Sequence, residues 1–194
     1  MRRVVALITC CVVVSGALAA QEIAPGTPPP VFRAIERALL QGGRGEHAQA
    51  RQALDSLVAQ LPSGSEAMVE ALFWRATLAA DGVDAERDYR RLLVERPLSS
   101  RAEEALFRLA EYEIVRGRLA EGRALLQQLY RDYSAPGSQA RTAYWLARSW
   151  FDVGEDARGC TALAEARARA PGADSALRVL ITRWVPRCPS PRAP

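Results

Sequence analysis

Apolar positions between residues 31 and 186 recur with the period of one helix face. In QARTAYWLARSWFDVG, Ala143, Leu146, Ala147 and Trp150 stand at i, i+3, i+4 and i+7; in RAEEALFRLAEYEIVRG, Leu106, Leu109 and Ala110 follow the same rule. No segment alternates with a period of two, so no strand is expected. Glycines at 45, 82, 117 and 154 recur at intervals of 37, 35 and 37, and Pro62, Pro97, Ser134 and Pro171 follow them by 15 to 17 residues. Each glycine lets the chain turn between antiparallel helices, and the proline or serine ends the second helix. This predicts pairs over 31–42 with 45–61, 66–80 with 83–95, 100–116 with 118–132, and 138–153 with 155–170. Ser100 and Glu103 have capping-box spacing for the third pair. A ninth helix over 173–186 carries Leu177, Leu180, Ile181 and Trp184 on one face and caps the open end of the stack. The expected fold is all-α: an α-solenoid of about four helix–turn–helix units over 31–186, plus the C-terminal capping helix.

The flanks break the pattern. Residues 1–20 combine Arg2 and Arg3, an apolar core from Val4 to Val14, and small residues at Ala17 and Ala19. That is the layout of a secretory signal cut after Ala19 or Ala20, and it implies export to the periplasm; an uncleaved N-terminal anchor is the competing reading. Cys10 follows too poor a lipobox to be lipidated. Residues 21–30 hold four prolines and form an extended tether, and 187–194 form a Pro-rich tail.

Composition narrows the chemistry. The 194 residues suit one domain, and all 26 basic residues are Arg. The formal net charge of +4 includes two arginines of the signal, and the rest alternate with acids without a basic stripe. Nucleic acid is therefore not an expected partner. A single His, at position 47 just after a turn, precludes a His-rich metal site and reads as a surface residue. There is no P-loop, GxGxxG or HExxH. The chain is read as a non-enzyme with no catalytic residues, cofactor or metal.

The repeat resembles the tetratricopeptide family (TPR). There a small residue lies midway in the first helix, a glycine ends it, a small residue opens the second, and a proline closes the unit. Those places fall to Ala38, Gly45, Ala50 and Pro62; to Ala110, Gly117, Gly122 and Ser134; and to Ala147, Gly154, Gly159 and Pro171. The second unit has Gly82, Ala85, Tyr89 and Pro97 but Arg75 at the small place, so its register shifts by a residue or two. Unit length and linkers are similar to two bacterial envelope proteins. One is the periplasmic division coordinator associated with the Tol–Pal system; the other is the TPR lipoprotein of the outer-membrane barrel-assembly machine.

The resemblance implies a concave face lined by first helices. Phe107, Glu111, Ile114, Arg141, Tyr144, Arg148 and Phe151 then form a partner groove with apolar anchors and a guanidinium for a carboxylate. The competing readings are helix packing for the rings and a solvated face for the arginines; Trp74, Trp145, Trp150 and Trp184 read as core. The function that follows is a periplasmic scaffold binding a protein or peptide in envelope assembly or division, with no stable membrane insertion after cleavage. The alternative is a helical positioning region of a cell-wall enzyme or glycan-binding system. Only Cys160 and Cys188 remain after signal removal. The ninth helix retraces the eighth at about 1.5 Å per residue, which returns Cys188 to the level of Cys160 and predicts a disulfide.

Overall fold

The structure, a computed structural model, describes residues 29–172 and 175–188. The predicted signal, most of the tether and the end of the tail lie outside the described residues. Within them the chain forms α1 (Pro30–Gly43), α2 (His47–Gln60), α3 (Glu66–Thr77), α4 (Gly82–Glu95), α5 (Ala102–Val115), α6 (Leu119–Asp132), α7 (Pro136–Phe151), α8 (Asp156–Arg169) and α9 (Ser175–Trp184). Single 3-10 turns follow α8 and α9, and no strand occurs among the described residues. The all-α solenoid expected from the period is the fold observed. First helices (α1, α3, α5, α7) and second helices (α2, α4, α6, α8) pack mainly on their neighbours in sequence.

The small residues explain how closely the pairs approach. Ala50, Ala85, Gly122 and Gly159 each occupy the fourth position of a second helix. A Cβ on Gly122 would lie 2.5 Å from Ile114 Cγ1 and 3.1 Å from the Ala110 carbonyl oxygen; one on Gly159 would lie 2.3 Å from the Phe151 ring. The turn glycines Gly45, Gly117 and Gly154 have φ of +86°, +79° and +77°, a region closed to most side chains.

Unit two departs from its neighbours. Gly82 is not a left-handed turn residue but the first residue of α4, and a Cβ there would fall 1.7 Å from Tyr112 Cε2. The small place in α3 belongs to buried Ala76, one residue beyond Arg75. Ala76 precedes Gly82 by six residues, whereas Ala38, Ala110 and Ala147 precede the starts of their second helices by nine. The connection is therefore short, and Asp81 caps it by accepting from the Asp84 amide at 2.9 Å. Arg75 turns to Asp88 of α4, with bonds of 2.6 and 2.7 Å, and to Asp55 of α2 at 3.0 Å.

Two further expectations are corrected. The capping box at Ser100 and Glu103 does not form: α5 starts at Ala102 behind Arg101, which makes no side-chain cap. Glu103 and Glu104 lie in the first turn of α5, where negative charge suits the helix dipole. Leu180 is not covered by the stack. In α9, Leu177 and Ile181 are buried 37 residues after Ala140 and Tyr144 of α7, so α9 sits as a fifth first helix. Leu180 and Trp184 stand where Ala143 and Ala147 meet α8; no second helix follows α9 among the described residues, and Leu180 stays 42% exposed.

Cys160 and Cys188 are joined, with Cα atoms 5.5 Å apart. Arg187 and Cys188, read from sequence as tail, belong to the folded end. Arg187 bonds Asp156 and the Phe151 carbonyl oxygen and lies 4.8 Å over the Phe151 ring.

Candidate functional site

The first-helix face is built from a repeated device. Glu70 of α3 takes Arg101 in a two-pronged bond of 2.6 and 2.9 Å, and that guanidinium lies over Phe73 and Trp74. One unit on, Glu104 of α5 takes Arg141 of α7 at 2.8 Å, and Arg141 lies 3.7 Å over Phe107. Each glutamate precedes its phenylalanine by three residues, within an identical Glu-Ala-Leu-Phe at 70–73 and 104–107. The repeated tetrapeptide is the sequence signal for Glu70, which reasoning from single positions misses; Trp74 reads from sequence only as core. Arg108 bridges Glu104 at 2.9 Å and Glu111 at 3.1 Å. Burial pushes the Glu111 carboxyl above the ordinary glutamate range, despite Arg108 and Arg141 nearby.

Three predicted groove residues are not exposed. Phe107, Tyr144 and Phe151 are 2–3% accessible. Phe107 packs edge-on to Trp145, and Phe151 stacks on Trp184 with centroids 5.2 Å apart. These rings fill the seams between units because small residues alone would leave voids. Ile114 is half-buried against Gly122, while Glu111, Arg141 and Arg148 remain partly accessible. The four tryptophans, read as core, are half-buried instead. Each lies beneath an arginine: Arg101 on Trp74, Arg148 on Trp145 and Trp184, Arg123 and Arg158 on Trp150. In a chain whose only strong cation is guanidinium, an indole at the surface gains a planar cationic cover. His47 is exposed at the start of α2.

Arg148 differs from Arg101 and Arg141. It has no carboxylate partner within ion-pair distance among the described residues. Its guanidinium lies 4.9 Å from the Trp184 ring and 5.9 Å from that of Trp145, and Nη1 is 3.5 Å from the Tyr144 hydroxyl. Its Nε is buried without a partner. A fork-shaped donor held between indoles suits a carboxylate brought by another molecule.

The opposite, second-helix face carries a series of depressions, among them one of about 310 Å³ between α1 and α2. Another, about 640 Å³, opens between α6 and α8 over α7, and one of about 410 Å³ opens between α4 and α6 over α5. These last two correspond position by position one unit apart, as with Leu109 and Leu146, Leu125 and Ala162, Gln128 and Glu165.

No family model matches the sequence, and no curated protein does. Among solved structures, a kinesin light chain-like protein from Podosopora anserina with nearly identical TPR-like repeats superposes with a TM-score of 0.61 at 18% identity. That match covers 77% of this chain and 79% of the other. A variant of the same protein gives 0.61 at 17% identity over 78% and 79%. The fold is a TPR-like repeat solenoid. At this identity the likeness concerns architecture alone. Among the described residues no cluster of His, Cys, Asp and Glu could hold a metal, and no helix is long and apolar enough to cross a membrane.

Proposed function

We propose that the chain is a non-catalytic interaction scaffold of the bacterial envelope, seating an acidic segment of a partner protein on its first-helix face at Arg148. The observation that carries this is the guanidinium of Arg148, framed by Tyr144, Trp145 and Trp184 and lacking the glutamate that Arg101 and Arg141 possess. An isolated cation in an aromatic setting costs desolvation unless a partner supplies the counter-charge. The envelope setting rests on the signal-like pattern of residues 1–20 and on a cysteine pair suited to an oxidising compartment.

Two measurements test the reading. Mass spectrometry of the protein from its native host should give a mature N-terminus at Ala20 or Gln21; an intact Met1 overturns export. Quantitative capture of partners from envelope extract should fall about tenfold or more for Arg148→Glu, with helicity and melting close to wild type. Equal capture by the variant removes Arg148 from the site.

A further inference from the structure

We infer that the outer groove between α6 and α8 is a second docking surface, and that its occupant is an acidic amphipathic helix of another protein. The groove stands apart from the Arg148 site, on the opposite face. Its floor is Leu146 and Ala143 of α7, with Trp150 at one end. Arg123 and Arg158 lie 4.2 and 4.8 Å from the Trp150 ring centroid, one from each bordering helix.

The charge at that end is only weakly balanced. Arg123 gives Nη1 to the Ser149 carbonyl oxygen at 3.1 Å, which leaves its charge uncompensated. Arg158 has only Glu155, at 4.0 Å, the outer limit of an ion pair, and its side chain is 63% exposed. At the far end Arg169 is balanced by Glu165, which also accepts from the Tyr130 hydroxyl. The groove therefore offers an apolar floor with two cations at the Trp150 end.

Comparison with the preceding groove shows that this charge is particular to the site. One unit earlier the places of Trp150, Arg123 and Arg158 belong to Glu113, Glu86 and Glu121. There Glu113 and Glu86 are locked in ion pairs with Arg90 and Arg118. Between α6 and α8 two of those acidic places carry Arg123 and Arg158, while the places of Arg90 and Arg118 hold Gln127 and Glu155; the charge pattern is reversed, and beyond the distant Glu155 the carboxylates for Arg123 and Arg158 are the partner's to supply. The length also fits. From Arg158 to Arg169 along α8 is about 16 Å at 1.5 Å per residue, the span of a three-turn helix.

The probe is a capped Leu/Glu amphipathic peptide of about twelve residues, with leucines on one face and glutamates beside them, and its Gln twin. Titration by NMR should place shifts at Leu146, Thr161 and Ala162, with the Gln twin binding about tenfold more weakly. Arg158→Glu should weaken the Leu/Glu peptide similarly. Thr161→Arg, an exposed substitution that fills the groove without touching the core, should abolish binding and guards against misfolding of the charge variant. Arg148→Glu should leave this binding unchanged, which separates the outer groove from the inner site. Absence of binding, equal binding by the Gln twin, or shifts centred on Tyr144 and Arg148 overturns the proposal.

Discussion

The middle of the stack and its C-terminal end solve the same packing problem with different chemistry. Between α3 and α6 the helices are tied by buried carboxylates. Asp88, 1% accessible, sits under Arg75 and Arg87; Glu113, equally buried, is gripped by Arg90 and Arg118. From α7 onward those ties give way to rings. Trp150 replaces the carboxylate of Glu113, Phe151 stacks on Trp184, and a disulfide closes the end. The difference follows from position. A middle unit is desolvated on both sides, so its charges are shielded and strongly coupled. Among the described residues α9 has a neighbour on one side only, where a half-exposed ion pair contributes little and a covalent link or broad aromatic contact contributes more.

Three perturbations break or sharpen that contrast. The largest effect belongs to Arg75→Ala, which leaves the buried Asp88 carboxylate with only the exposed Arg87. Urea denaturation should show a loss of about 3–5 kcal/mol. A loss below about 1 kcal/mol, as for an exposed pair, would mean that the middle is not held by its ions.

Next is the disulfide. Its ends are 28 residues apart, and reduction should lower stability by about 3–4 kcal/mol in the chain-entropy account. Hydrogen exchange should rise first in α9 and the end of α8, because α9 buries only Leu177 and Ile181. Unchanged protection of α9 after reduction would show that the rings alone hold the end.

The smallest effect is acid sensitivity. Burial pushes the Glu86 carboxyl up, but Arg90 and Arg118 outweigh it and hold the group below its ordinary range. Glu95 is held low chiefly by the bond from Arg91. Both contribute stability that is present above the ordinary glutamate range and is lost as pH falls through their depressed values. As pH falls below the ordinary glutamate range, exchange should therefore quicken in α4 before α7 and α8. Simultaneous loosening of both regions would remove the distinction.

The comparison also shows where sequence reasoning reached and where it stopped. The helix pairs were legible because the 3.6-residue period and the Gly and Pro marks are local properties, fixed by backbone geometry and the demand to bury one face. The Cys160–Cys188 link was legible for a similar reason: two antiparallel helices of known rise leave little freedom in where their ends meet. In unit two Arg75, standing at the small place, signals a register shift of a residue or two but not where it falls. Only the fold shows that Ala76 faces α4 while Arg75 finds Asp88 and Asp55. The tryptophans were assigned to the core because hydrophobicity is a property of the residue. Whether an indole is roofed by protein or by an arginine from the next helix depends on what the next unit places there.

For the same reason the groove was only half legible. That Arg141 and Arg148 share one face of α7 follows from their spacing of seven. That Arg141 is spoken for by Glu104, 37 residues earlier, while Arg148 has no such partner is decided by which side chains the stacking of units brings within 3 Å. A sequence fixes periodicity through interactions of three or four residues. The balance of charge at a surface is set by partners a whole repeat away, and only the packed structure assigns them.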